Sequence, residues 1–280
     1  MNIKVTADST CDLTQELVDK YNITIVPLQV TWDGVSYKDG VDITADEMLA
    51  NMESTGRLGA TSAVNIQDYI DIFSELLKEC DAIVHFTISS EMSACYQNAC
   101  LAAQEVGNVY VVDSRNLSTG IAHLVLDACE MAQAGMDAAD IHKALEEKKN
   151  KLDVSFVVST LEYLRKGGRC TAVAAIGANL LRLHPCIFVK DGAMGVGKKY
   201  RGKMSDCLAA YVKDRLADID TVDTRRIFIT DSGIDEDIRD MVEKTVRELV
   251  PFQEVIRTRA GCTVSCHCGP GTLGILFYRK

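Results

Sequence analysis

The chain enters its first element with Ile3-Lys4-Val5-Thr6-Ala7-Asp8-Ser9-Thr10-Cys11-Asp12-Leu13-Thr14-Gln15. The β-branched run predicts a strand over Ile3–Ala7. Asp12-x-x-Gln15 has capping-box spacing and opens a helical pattern near Leu13–Tyr21. A second β-branched run occupies Ile23–Val30. Strand, helix and strand in succession mark a sheet joined by crossover helices, so the predicted class is α/β.

Outward from this unit the alternation continues. Strands are expected at Ala82–Ile88 and Val109–Val112, and Thr44-x-x-Glu47 opens a helix over Ala45–Glu53. Further helices read at Asn65–Cys80, Met92–Glu105 and Ser118–Ala134. The charged stretch Lys143–Lys151 reads as a solvated helical face, which places a domain boundary near residue 152 and gives domains 1–152 and 153–280. In the second half, Ser155–Ser159 reads as a strand and Thr160–Lys166 as a helix, with Gly167-Gly168 as a break before the apolar Val173–Leu183. Helices at Lys203–Leu216 and Asp235–Leu249 alternate with strands at Arg225–Thr230, Glu254–Thr258 and Leu273–Tyr278.

One motif is a decoy. Gly192-x-x-x-x-Gly197-Lys198 has P-loop spacing, but Lys199 replaces the magnesium-binding hydroxyl. Asp191-Gly192 between Cys186–Lys190 and Ala193–Val196 instead predicts a type I′ hairpin.

Composition narrows the function. Hydrophobic residues make up 47% and charged residues 25%, as in a globular protein with a sizeable core. A net charge of −10 argues against nucleic acid or an anionic membrane as partner. No apolar run reaches membrane-spanning length, and the chain starts directly in a strand, so a soluble, unexported, cytoplasmic protein is expected. The eleven cysteines are scattered through apolar segments and read as reduced, mostly buried thiols. Cys262, Cys266, His267 and Cys268 lack the C-x2-C spacing of structural zinc sites, and in a strand His267 and Cys268 face opposite ways; no metal is expected.

Three strand ends, Ala7-Asp8-Ser9, Val112-Asp113-Ser114 and Thr230-Asp231-Ser232, read as caps or turns ahead of ligand contacts. Two further hydroxyl clusters, Gly59-Ala60-Thr61-Ser62 and Ile88-Ser89-Ser90-Glu91-Met92-Ser93, fit either helix caps or an anion-binding crevice. His267 stands beside Gly269 and Gly271, which let other groups approach it closely. A serine hydrolase is disfavoured, because the G-x-S-x-G elbow is missing.

Six stretches in order identify the chain as resembling the DegV family over about Ile3 to Tyr278. They are Ala7–Leu13, Ala60-Thr61-Ser62, Ser93–Ala99, Val112-Asp113-Ser114, Leu161–Arg169 and His267-Cys268-Gly269-Pro270-Gly271. The resemblance implies a Rossmann-like N-terminal sheet with helices, a C-terminal α/β domain, and one long-chain fatty acid, such as palmitate, at their interface. Thr61 and Ser93 match the carboxylate-binding hydroxyls, His267 the head-group histidine, and Ser62 a neighbour behind them. Arg169 and Arg201 are candidate contacts for head group or partner. Neutral donors suit a buried carboxylate, which is costly unless hydrogen-bonded. Each buried methylene contributes roughly 0.8 kcal/mol, so a long tail supplies most of the affinity. The stretches Val173–Leu183, Cys186–Val189 and Leu273–Phe277 are candidate tunnel walls.

The resemblance further implies a carrier without catalysis or cofactor that presents the acyl carboxylate to an ATP-dependent fatty acid kinase subunit. An acyltransferase of phospholipid synthesis would follow. An alternative is an enzyme acting on an acyl or phosphorylated small molecule through Ser93 and His267; a third is a cysteine-based metal or redox protein. The sequence departs from the family pattern at Ala63-Val64-Asn65, at Ala94-Cys95 and at His184, which bear on crevice shape and chain-length preference.

Overall fold

The computed structural model describes residues 1–174 and 183–280, and the chain is α/β. Its first part runs β1 (Ile3–Asp8), α1 (Gln15–Lys20), β2 (Thr24–Val26), β3 (Gln29–Trp32), β4 (Val35–Lys38), α2 (Ala45–Thr55), β5 (Ala60–Ser62), α3 (Ile66–Leu76), β6 (Ala82–Thr87), α4 (Cys95–Val106), β7 (Val109–Asp113), α5 (Thr119–Gln133) and α6 (Ala138–Lys148). Then follow β8 (Leu152–Val157), α7 (Glu162–Gly167), α8 (Thr171–Ala174), β9 (Leu183–Lys190), β10 (Ala193–Arg201), α9 (Met204–Arg215), β11 (Val222–Ser232), α10 (Glu236–Leu249), β12 (Glu254–Arg259), α11 (Cys262–Cys268) and β13 (Thr272–Arg279).

Three sheets result. The first is wholly parallel, in the order β2-β1-β6-β7. The second has six strands in the order β10-β9-β8-β13-β11-β12, antiparallel except for β11 and β12. A small antiparallel sheet, β4-β3-β5, stands apart. The run Ile23–Val30 is therefore not one strand. Pro27, which lacks an amide donor, interrupts it, and its two halves join different sheets.

Helix α5 links the two large sheets. Its residues Thr119–Cys129 are all buried, as expected of a helix covered on every side. Thr119 Oγ1 lies 2.7 Å from Thr230 Oγ1 on β11. His123 Nε2 lies 2.9 Å from the Leu276 carbonyl on β13, and burial lowers this ring to about 4. His123 is thus neutral at neutral pH and spends its N–H on the second sheet.

Local signals explain the ends of several elements. Thr44 and Glu47 form the expected capping box of α2. Asp191 and Gly192 take φ of 51° and 82°, the positive values of a type I′ turn, so Gly197 and Lys198 sit inside β10. Asp12 departs from expectation. Thr14 caps α1, accepting from Leu17 N at 3.4 Å, while Asp12 is buried and accepts from Gly261 N at 2.8 Å. Ser118 Oγ donates to its other oxygen at 2.5 Å. Burial pushes this carboxyl up to about 8, against the pull of those two donors.

The segment Cys262–Cys268 is a helix, not a strand, and its first turn is held by another part of the chain. Asp39 accepts from Cys262 N at 2.8 Å and Thr263 N at 3.0 Å, and Asp12 holds the preceding Gly261. These side-chain oxygens satisfy amides that a helix start leaves without partners.

Candidate functional site

At the other end of α11, His267 meets Thr61. On β5, Thr61 pairs with Val30 of β3, and successive side chains leave a strand on opposite faces. Thr61 Oγ1 lies 2.8 Å from His267 Nε2. The ring fits because residue 167 is glycine: a Cβ there would stand 2.3 Å from His267 Nδ1. Burial, with Arg169 nearby, lowers His267 to about 4, so the ring is neutral. Its Nδ1 is buried without a hydrogen-bond partner among the described residues.

Ser93 lies in the loop between β6 and α4. Its Oγ accepts from Cys95 N at 3.3 Å and points its proton at Cys95 Sγ, 3.2 Å away. Sulfur is a weak acceptor, so that proton is readily redirected to a better one. His267 is paired with Thr61 rather than Ser93, so no serine–histidine dyad is formed in this arrangement.

Thr61, Ser62, Ser93, Arg169 and His267 all line one narrow cavity. The rest of its wall is largely apolar: Leu28, Ile88, Met92, Leu117, Met194 and Val264. Ser62 is exposed at the rim. Neither Thr61 nor Ser62 caps a helix; Asn65 does so for α3. Arg201 is not brought here, since it ends β10 on the exposed surface.

A broad outer cleft of about 910 Å³ shares Thr61, Arg169 and His267 with this cavity. Arg57 and Lys166 also line it, and no carboxylate does among the described residues. Arg57 and Lys166 are paired with carboxylates outside the lining, Asp33 and Glu162, each at 2.7 Å. A narrow slot, lined by Phe156, Ala260 and Leu276 and also by Ser118, Thr230, Asp231, Ser232 and Thr272, shares Leu117, Val264 and Cys268 with the cavity. Thus a polar neck of Thr61, Arg169 and His267 is common to the outer cleft and the largely apolar cavity.

The expected walls are mostly elsewhere. Cys186–Val189 does not line the cavity, and of Leu273–Phe277 only Gly274 and Leu276 reach a lining, that of the narrow slot. Residues 175–182 of the stretch Val173–Leu183 lie outside the described residues. The strand-end acids are turned to structure. Asp8 accepts from Tyr69 OH at 2.7 Å, and Asp113 accepts from Arg115 N at 2.9 Å. Asp231 accepts from Arg259 Nη1 at 2.6 Å.

Thr263 was not legible as a site residue: it lines the cavity, is 4% exposed, and its Oγ1 has no partner among the described residues. The cysteines are packed as thiols. Cys262 Sγ lies 3.3 Å from the Ile43 carbonyl and Cys266 Sγ 3.9 Å from Met52 Sδ. Burial pushes Cys266 and Cys268 up to about 12, which disfavours the reactive thiolate. Among the described residues, no three His, Cys, Asp or Glu side chains group as metal ligands.

Known proteins share this architecture. A DegV domain-containing protein of Caldanaerobacter subterraneus subsp. tengcongensis is 30% identical, with 99% of each chain covered. A solved DegV family protein from Thermus thermophilus, described for its fatty acid binding, superposes with a TM-score of 0.92 at 30% identity over 100% of both chains. A stearic acid-binding protein from Eubacterium ventriosum superposes with a TM-score of 0.87 at 28% identity, covering 99% of this chain and 98% of its own. The DegV family model itself matches residues 2–280, so the chain that builds this neck belongs, over its full described fold, to the DegV family.

Proposed function

We propose that this protein binds one long-chain fatty acid, with its carboxylate at Thr61, Ser93 and His267 and its tail in the apolar cavity. The observation that carries this reading is the neck itself, where a neutral Thr61–His267 pair lines both the outer cleft and the largely apolar cavity. With Nε2–H donating to Thr61 Oγ1, the Thr61 hydroxyl is free to donate to a carboxylate. Ser93 gives up only a sulfur acceptor to do the same. Such donors satisfy a desolvated carboxylate without neutralising it, leaving its oxygens nucleophilic. The fatty-acid ligands of the Thermus and Eubacterium proteins support the assignment.

In this reading, residues 1–152 and 153–280 act as two domains, with the ligand between them. Ser62 supports the head group from the rim. The chain itself is a carrier without catalysis or cofactor. It presents the carboxylate through the outer cleft to an ATP-dependent kinase subunit, in the cytoplasm, for later use by an acyltransferase. Arg169 faces that exchange, and Arg201, outside the cavity, contacts the partner.

The test is mass spectrometry of the organic extract of the purified, denatured protein. One long-chain acid per chain is expected. A lipid-free extract, together with no uptake of added palmitic acid, would sink the proposal.

A further inference from the structure

Beside His267 Nδ1, a second buried polar atom of the cavity, Thr263 Oγ1, has no partner among the described residues. Thr263 stands one helical turn before His267 on the same face of α11, and both line the cavity. Its amide is held by Asp39 Oδ2 at 3.0 Å, which fixes the residue in place. A helical threonine ordinarily returns its hydroxyl to a carbonyl one turn back. Here the carbonyl three residues back, that of Ala260, accepts from Ser265 Oγ at 3.1 Å instead. Neither Thr61, Ser93 nor His267 comes within hydrogen-bonding distance of Thr263 Oγ1. A buried hydroxyl without a partner is costly, and the neighbouring wall, Val264 and Leu117, is apolar and offers it nothing.

We propose that Thr263 binds a second oxygen of the ligand, so that the preferred guest is a fatty acid carrying a hydroxyl or keto group close to its carboxylate. The inference rests on the fatty-acid reading of the site. Side chains one turn apart on a helix face are roughly 5–6 Å apart at Cβ. A carboxylate held by the neck therefore leaves Thr263 to the first few chain carbons. A plain acid presents only methylenes there and leaves the hydroxyl unsatisfied, whereas an oxygenated one completes it. Discrimination of this kind, by a buried polar group that one ligand satisfies and its analogue does not, is stronger than discrimination by shape.

The experiment is displacement of a fluorescent fatty acid from the delipidated full-length chain by palmitic, 2-hydroxypalmitic and 3-hydroxypalmitic acids. Wild type is expected to favour one of the hydroxylated acids over palmitic by about tenfold. Thr263→Val, nearly isosteric, is expected to erase or reverse that ratio, and Thr263→Ser to keep it. A wild-type preference for palmitic acid, or a ratio unchanged in Thr263→Val, would overturn the role of Thr263 while leaving the fatty-acid reading intact. Wild type that binds none of the three acids would overturn the fatty-acid reading itself.

Discussion

The molecule contains the same pair of side chains twice, with opposite fates. Thr6 Oγ1 lies 2.8 Å from His85 Nδ1, and Thr61 Oγ1 lies 2.8 Å from His267 Nε2. Around His85 everything is closed: Thr6, Asp8 and His85 are wholly buried, the second ring nitrogen faces Asp8 Oδ1 at 3.4 Å, and Tyr69 donates to the same oxygen. The rings of Tyr69 and Phe73 pack edge-on against the imidazole. His85 Nε2 and His267 Nδ1 alike lack a hydrogen-bond partner among the described residues, but the Thr61–His267 pair lines both a cavity and an open cleft, and no such space adjoins His85. A threonine–histidine bond is therefore not a site. Unspent hydrogen-bonding capacity beside accessible space makes it one.

Substitutions sharpen that contrast. His85→Ala removes a buried partner from Thr6 and Asp8 and opens a void, so a loss of about 3–5 kcal/mol in unfolding free energy by denaturant titration is expected. Lipid retention should suffer only as far as the fold does. Thr61→Ala and Ser93→Ala should each weaken fatty-acid retention by about 1–3 kcal/mol, read by isothermal titration, with a smaller effect on stability. Equal retention in both variants would break the comparison.

The ring of His267 supplies a finer test. Its folded pKa, about 4, lies below the ordinary value of 6.5, so between these values the unfolded chain binds more protons. The contribution is fully present above pH 6.5 and is lost as pH falls towards 4. Because the residue is only part-buried, the expected effect is about 1 kcal/mol. Imidazole chemical shifts followed through an NMR titration should move near pH 4; movement near 6.5 would contradict the neutral ring. Smallest of all, Arg57→Ala removes an exposed cation paired with the equally exposed Asp33, and should change stability by less than about 0.5 kcal/mol.

What the sequence disclosed depended on how local the cause was. The strand at Ile3–Asp8, the capping box of Thr44 and Glu47, and the Asp191-Gly192 turn are written within a few residues, and each appears in the structure. Asp12 has the spacing of a cap, yet its carboxylate bonds the amide of Gly261, 249 positions away. Nothing near Asp12 announces that. The helix Cys262–Cys268 was equally illegible, since it is short and its start depends on Asp39 and Asp12. Within the site, Thr61, Ser93, Arg169 and His267 came from the family resemblance and do converge on one cavity, whereas Arg201 does not. Thr263 carried no signal, because what distinguishes it is a hydroxyl left without a partner, a property of the packed molecule alone.

The tethering of α11 has a consequence for the newborn chain. Gly261 and Cys262 leave the ribosome 249 and 223 positions after their respective docking points, Asp12 and Asp39. Domains begin to fold during synthesis from the amino end. Until Gly261 and Cys262 emerge, Asp12 and Asp39 wait without the amides they hold in the folded chain, and Thr61 has no histidine. The Thr61–His267 neck can thus form only after α11 has been made, and a polypeptide truncated before Gly261 would lack both the lock and the neck.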